Sequence, residues 1–323
     1  MGITVGPGEA AALTTAVSWA FSALFFAAAA RRVGAARVNL LRLALATALL
    51  SLLVIALGAA GPLPAAQAGL LALSGVVGLS LGDAAYFRAL EILGPRRAAL
   101  TMALAPVFAA ILMVPLLDET LGAVGIAGMV LTIGGVAWVQ AEPDGGSEVT
   151  GHLGRGLLLG VLGALGQAGG YVLAKAGLGA ARSGSALAAL AGLAPRAAAE
   201  GDSLSGVAVF PLYGTLVRMA AATAWALAGA AIPRQGVHMR AALGDRRALG
   251  FIAGGTLTGP VFGVWLSLVA LAHSNTAVAS TLLATSPLFV IPLVRVVHGR
   301  RASARAWIGA LVAIAGVALL SMR

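Results

Sequence analysis

The chain of 323 residues contains no cysteine. Disulfides, thiolate metal sites and cysteine nucleophiles are therefore excluded. Charge is scarce as well. Asp, Glu, Lys and Arg together make up 10% of the residues, where a soluble domain averages about a quarter. Most of the surface must then face something other than water. The four histidines, His152, His238, His273 and His298, do not pair with each other or with an acid at metal-ligand spacing. No metal and no cofactor is expected. No Walker A sequence occurs, so no ATP motor is expected on this chain. The first ten residues lack a basic region and the first apolar run is too long for a signal peptide, so none is expected. The period-two alternation of a membrane β-barrel is missing too, which leaves helices as the spanning element.

Hydrophobic residues make up 60% of the chain. They fall in runs of about 20, the length at which a helix crosses a hydrocarbon core of about 30 Å. The net charge of +10 could point to nucleic acid, but the arginines lie in short loops between the apolar runs. That is the placement expected of a membrane protein, so no nucleic-acid partner is expected.

The segment Gly82–Gly135 lies without a gap on Gly263–Gly316, a shift of 181. Under it Gly78 meets Gly259, Ala89-Leu90 meets Ala270-Leu271, Pro106 meets Pro287 and Gly128 meets Gly309. Several glycines and a proline in one register indicate an internal duplication, which decides the architecture first. The first copy is expected over residues 1–140 and the second over 152–323. The polar stretch 141–151, AEPDGGSEVTG, links them.

The expected spans are about 9–30, 39–57, 67–93, 98–117 and 121–139, then 154–178, 209–231, 249–272, 276–297 and 302–322. Residues 182–206 form an insertion that the first copy lacks. Gly94-Pro95 closes the third span, Gly259-Pro260 breaks the eighth, and Pro106 and Pro287 fall inside the fourth and ninth. The fold class is thus an all-α integral membrane protein of ten transmembrane helices in two five-helix repeats. An odd number per repeat makes the second copy inverted in the membrane. The turn carrying Asp118 and Glu119 faces Arg300 and Arg301 in its counterpart, as inversion requires. Arginines gather in the loops after the odd-numbered spans. Positive-inside topology would then put both termini outside.

The paired residues resemble the EamA-like branch of the drug/metabolite transporter superfamily. Ala89-Leu90, Pro106-Val107-Phe108, Glu119, Gly128 and Gly135 carry the resemblance in the first half. Ala270-Leu271, Pro287-Leu288-Phe289, Gly309 and Gly316 carry it in the second. Arg42 and Arg218 match an arginine often found at the start of the second helix of each unit. The resemblance covers nearly the whole chain and implies a carrier for small metabolites with no ATP hydrolysis. Arg300 stands where the second repeat would usually keep a glutamate. Members commonly keep both termini cytoplasmic, against the arginine pattern, and the absolute orientation stays open.

Asp83 is the sharpest candidate. An ionisable group at mid-span costs about 2.5–3.5 kcal/mol on insertion scales, so it should face a cavity or a partner. Proton coupling, a substrate-amine contact, and a salt bridge to Arg42 or Arg88 are the open alternatives. Tyr86 shares its face. Gln167 and Tyr171, with Trp19 at the position equivalent to Gln167, would suit a polar organic solute. Trp265 and Ser267 flank the Gly259-Pro260 break, where backbone carbonyls are freed. Trp19, Asp83, Tyr86, Gln167, Tyr171, Trp265 and Ser267 are therefore the expected substrate or ion contacts, with no catalytic residue. The expectation is a multi-pass protein of the cell membrane, not an enzyme. It would be a secondary transporter that moves small organic metabolites or drugs by alternating access, coupled to protons or not, as a monomer or homodimer. A membrane-embedded enzyme or lipid-handling protein is the alternative.

Overall fold

A computed structural model describes residues 6–117, 122–140, 152–178, 204–230, 239–273, 279, 282–298 and 303–321. The linker 141–151, residues 182–203 of the insertion and the turns holding Asp118, Glu119, Arg300 and Arg301 lie outside the described residues, as do the expectations placed on them; the last residues of the insertion, from Leu204, are helical.

Among the described residues every regular element is helical. α1 is Pro7–Val33 and α2 is Ala35–Ala56. α3, Ala65–Ser74, runs through a π-helical segment, Gly75–Gly82, into α4, Asp83–Met102. α5 is Ala105–Leu117, α6 is Ala123–Gln140, α7 is Leu153–Gly177 and α8 is Leu204–Ala230. The short α9, Met239–Gly244, precedes α10, Arg246–Thr256. A second π-helical segment, Leu257–Gly263, joins α10 to α11, Val264–His273. α12 is Ser286–His298 and α13 is Ala304–Ser321. Among the described residues, five helical stretches are long and apolar enough to cross a membrane: Pro7–Val33, Ala35–Ala56, Ala65–Met102, Leu153–Gly177 and Arg246–Ala270. Ala123–Val139, Ser286–Val296 and Ala304–Leu319 are shorter apolar helices.

Several boundaries differ from the sequence expectation. The loop expected after the first span shrinks to Gly34, whose φ of 84° turns the chain directly into α2. Arg37 is therefore helical and donates to the Val33 carbonyl at 2.9 Å. Arg42 sits two turns inside α2 rather than in its first turn. Gly94, at φ 77°, breaks α4 where the Gly-Pro pair foretold it. The chain resumes as helix at once, so Arg97, expected in a loop, is buried. Pro106 and Pro287 do not lie in helix interiors. Turns at 103–104 and 284–285 end the preceding helices, and each proline takes the second position of the next one. There its missing N–H costs nothing. α9 was not expected at all.

These irregularities keep one register. The two π-segments end at Gly82 and Gly263, and the two turns begin at Ala103 and Ala284, each pair 181 residues apart. The turn bonds match as well: Leu104 N donates to Thr101 O and Thr285 N donates to Leu282 O, both at 3.1 Å.

Helix contacts are reciprocal between the halves. α7 packs on α3, the first π-segment, α4 and α5; α1 packs on α10, the second π-segment, α11 and α12. α2 packs on α8, where the Thr47 and Thr223 hydroxyls share a hydrogen bond of 2.8 Å. α6 packs on α13, and Thr132 donates to the Ala313 carbonyl at 3.3 Å. Small residues make these approaches. α1 buries Ala12, Ala16, Ala20, Ala23, Ala27 and Ala30 along one stripe. A Cβ added at Gly82 would lie 3.1 Å from the Gly166 Cα. Such contacts let dispersion act between backbones where lipid leaves little hydrophobic drive.

Candidate functional site

Helices from both halves enclose a cavity of about 150 Å³. The two turns supply Ala103, Ala105, Pro106, Ala284, Ser286 and Pro287 to its wall. The π-segments supply Leu79, Gly259 and Pro260. Trp19, Phe26, Tyr86, Phe87, Met102 and Tyr171 make its large apolar and aromatic surfaces. Four charged side chains reach it: Arg42, Asp83, Lys175 and Arg218.

Asp83 follows the first π-segment directly, and Arg42 comes from two turns inside α2. Arg42 Nη2 donates to Asp83 Oδ2 at 2.6 Å, with the two side chains 2% and 9% exposed. The same nitrogen lies 2.6 Å from the Leu79 carbonyl and 2.8 Å from Asn39 Oδ1, and Nε donates to Asn39 Oδ1 at 3.1 Å. Asn39 is held in turn by donating to the Ser80 carbonyl at 3.1 Å. Phe87 and Phe26 flank the guanidinium, their ring centres 4.8 Å and 5.9 Å from it. A desolvated cation gains from such faces. On its other oxygen Asp83 accepts from Gln167 Nε2 at 3.3 Å. Of the partners weighed for Asp83, Arg42 is the one it holds. Arg88 instead makes an exposed pair with Glu91 at 3.1 Å.

Trp19, Asp83, Tyr86, Gln167, Tyr171 and Ser267 all line the cavity. Ser267 is fully buried and donates to the Val264 carbonyl at 2.7 Å. Trp265 is not on the wall. It packs against two apolar clusters, one that includes Leu43, Leu50 and Val261 and one that includes Ala11, Ala12 and Val269. The expectation placed both Trp265 and Ser267 by the Gly259-Pro260 break, but two residues apart on one helix they point roughly 200° apart, so with Ser267 on the wall Trp265 faces away.

Two cavity cations were missing from the sequence-derived candidates, Lys175 and Arg218. Arg218 is wholly buried on the cavity wall, and its Nε, Nη1 and Nη2 have no hydrogen-bond partner among the described residues. The one signal in the sequence was its equivalence to Arg42 at a shift of 176.

Outside the membrane-length segments, Asp245 caps α10. Its carboxylate accepts from the backbone N–H groups of Ala248 and Arg247, and pairs with Arg32 Nε at 2.8 Å. The Ala248 N–H first, then Arg32, hold its carboxyl below the usual carboxylate range. This ties the end of α1 to the start of α10.

Among curated proteins, none matches this sequence. A solved crystal structure at 16% identity has a TM-score of 0.58 and covers 98% of this chain and 96% of its own; at that identity it speaks to the fold alone. The model of the EamA-like transporter family matches residues 6–140 and again residues 205–322. With two matches over most of the chain and the apolar helices in it, the chain is a multi-pass membrane protein belonging to the EamA-like transporter family.

Proposed function

We propose that this transporter is a secondary carrier for small organic solutes, and that the cavity between its halves is the solute site. In this reading residues 1–140 and 152–323 are two five-helix repeats, joined by 141–151 and inverted with respect to each other across ten spans. One observation carries the reading: the cavity is walled by equivalent irregularities of both halves, the two turns and the two π-segments. Broken helices at membrane depth expose backbone carbonyls and are tolerated where they line a cavity, a recurrent layout of carrier sites between repeats. The reciprocal packing of α2 on α8 and α6 on α13 supports a two-fold relation. Rocking of one half against the other would open the cavity to each side in turn.

Asp83 in this reading neutralises Arg42 and positions Gln167. A carboxylate already held by an arginine is neutralised without taking up a proton.

Transport by the full chain in liposomes tests the proposal. Amino acids, nucleosides, organic anions and amphiphilic cations are offered, with and without a pH gradient and without nucleotide. Saturable flux of an organic solute is expected. Ala103→Trp, which fills the cavity from the first turn, is expected to abolish that flux while the protein still folds. Undiminished flux in a folded Ala103→Trp variant would place the pathway elsewhere.

A further inference from the structure

The two arginines of the duplication have opposite surroundings. Arg42 is satisfied by Asn39, the Leu79 carbonyl and Asp83, and sheathed by Phe26 and Phe87. Arg218 occupies the equivalent place in the second half, but the side chains that hold Arg42 have been replaced. Asn39 becomes Thr215, whose hydroxyl turns back to the Pro211 carbonyl at 2.8 Å. Asp83 becomes Val264, and the two phenylalanines become Ala174 and Leu268. The cation has been kept and its counter-ion removed. What remains is a wholly buried guanidinium with three nitrogens lacking a hydrogen-bond partner among the described residues, on the wall of the cavity and within electrostatic reach of Tyr171 and Asp83.

A buried charge without a partner is destabilising. Asp83 does not supply one: its oxygens accept from Arg42 Nη2 and Gln167 Nε2, and it makes no hydrogen bond to Arg218. Among the described residues of the wall, Arg42 and Arg218 stand against the one carboxylate of Asp83, which leaves an excess of positive charge even without counting Lys175. The planar fork of a guanidinium matches an oxyanion through two parallel hydrogen bonds. We infer that the transported solute is an organic anion whose carboxylate or phosphate is bound by Arg218, with its apolar body against the aromatic wall. This rests on the reading of the cavity as the solute site.

Because the chain lacks cysteine, the charge preference of the cavity can be read by one introduced thiol. The Ala284→Cys variant, altered on the second turn, is treated as full-length protein with sulfonatoethyl and with trimethylammonioethyl methanethiosulfonate. The rate ratio is normalised to a free thiol. The anionic reagent is expected to react roughly tenfold or more faster than the cationic one, the scale on which a charged cleft enriches an oppositely charged ligand. Arg218→Gln in the same background should bring the ratio to about one, and Arg218→Lys should retain part of the preference. Acetate and inorganic phosphate are added as competitors. Protection by either supports the proposal and tells a carboxylate from a phosphate. Arg218→Gln should also melt no lower than its parent without ligand, since no hydrogen bond is lost. A ratio at or below one, a ratio unmoved by Arg218→Gln, protection by neither anion, or a lowered melting temperature in Arg218→Gln would each overturn the inference and leave the cavity a solute site. Failure of both reagents to reach the introduced thiol would instead sink the carrier reading itself.

Discussion

Arg42 keeps its charge under all physiological conditions, so burying it commits the fold to a counter-ion. Asp83→Asn removes that counter-ion and leaves the guanidinium, at an expected cost of about 3–5 kcal/mol. Arg42→Gln added to Asp83→Asn should restore much of the lost stability, read as melting temperature in detergent. A stable Asp83→Asn single variant would show that the pair is not what holds Asp83 in place. Asp245 works differently, at the surface. Its carboxyl is held below the ordinary range, so its contribution is present above the unfolded-state value of about 4 and lost as pH falls through the lower folded-state value. Asp245→Ala should therefore melt below wild type at neutral pH, and the gap should close in strong acid; a gap constant down to the lowest pH would contradict the assignment. The need of Asp83 for a partner or a cavity was legible in the sequence, because a lone mid-span acid is costly. Arg218 was not, because its meaning lies in which neighbours are missing, and that emerges only once α8 is seen against the cavity. Proximity to the Gly259-Pro260 break did not separate Trp265 from Ser267, because only helical phase decides which of two residues two apart reaches the wall.

At the scale of elements, glycine sets how closely helices meet. A Cβ at Gly135 would lie 2.7 Å from the Gly309 carbonyl oxygen and 2.6 Å from the Ala313 nitrogen, whereas one at Gly134 meets nothing within 4 Å. Gly135→Leu should push α6 off α13 and destabilise the protein by about 1–3 kcal/mol or more. Gly134→Leu should stay within about 0.5 kcal/mol of wild type. Equal melting temperatures for the two variants would refute the packing of α6 on α13. Helix existence was legible from the apolar runs, and the Gly94 break from its Gly-Pro pair. The boundaries around Gly34 were not, since a one-residue corner leaves no polar loop to mark it. The turns before Pro106 and Pro287 were displaced for a related reason. Proline disfavours helix at the residue before it and is welcome in a first turn, so the break falls upstream of the proline.

For the whole molecule, the shift of 181 read from the sequence recurs in the turns, the π-segments and the α6–α13 contact. A shared register of defects is harder to produce by chance than a shared run of alanines. It motivates the proposed architecture, in which equivalent weak points of two inverted halves face one cavity that each side of the membrane reaches in turn. Composition alone could announce membrane helices, but a cavity is a property of side chains that stop short of one another. No pattern along the chain encodes that directly. The most direct measurement is two-sided labelling of an Ala103→Cys variant, whose introduced thiol is its sole cysteine, in sealed vesicles of each orientation with a membrane-impermeant thiol reagent. Alternating access predicts that this thiol is labelled from both sides and that a transported solute slows labelling from each. Labelling from one side alone, or from neither, would contradict the account.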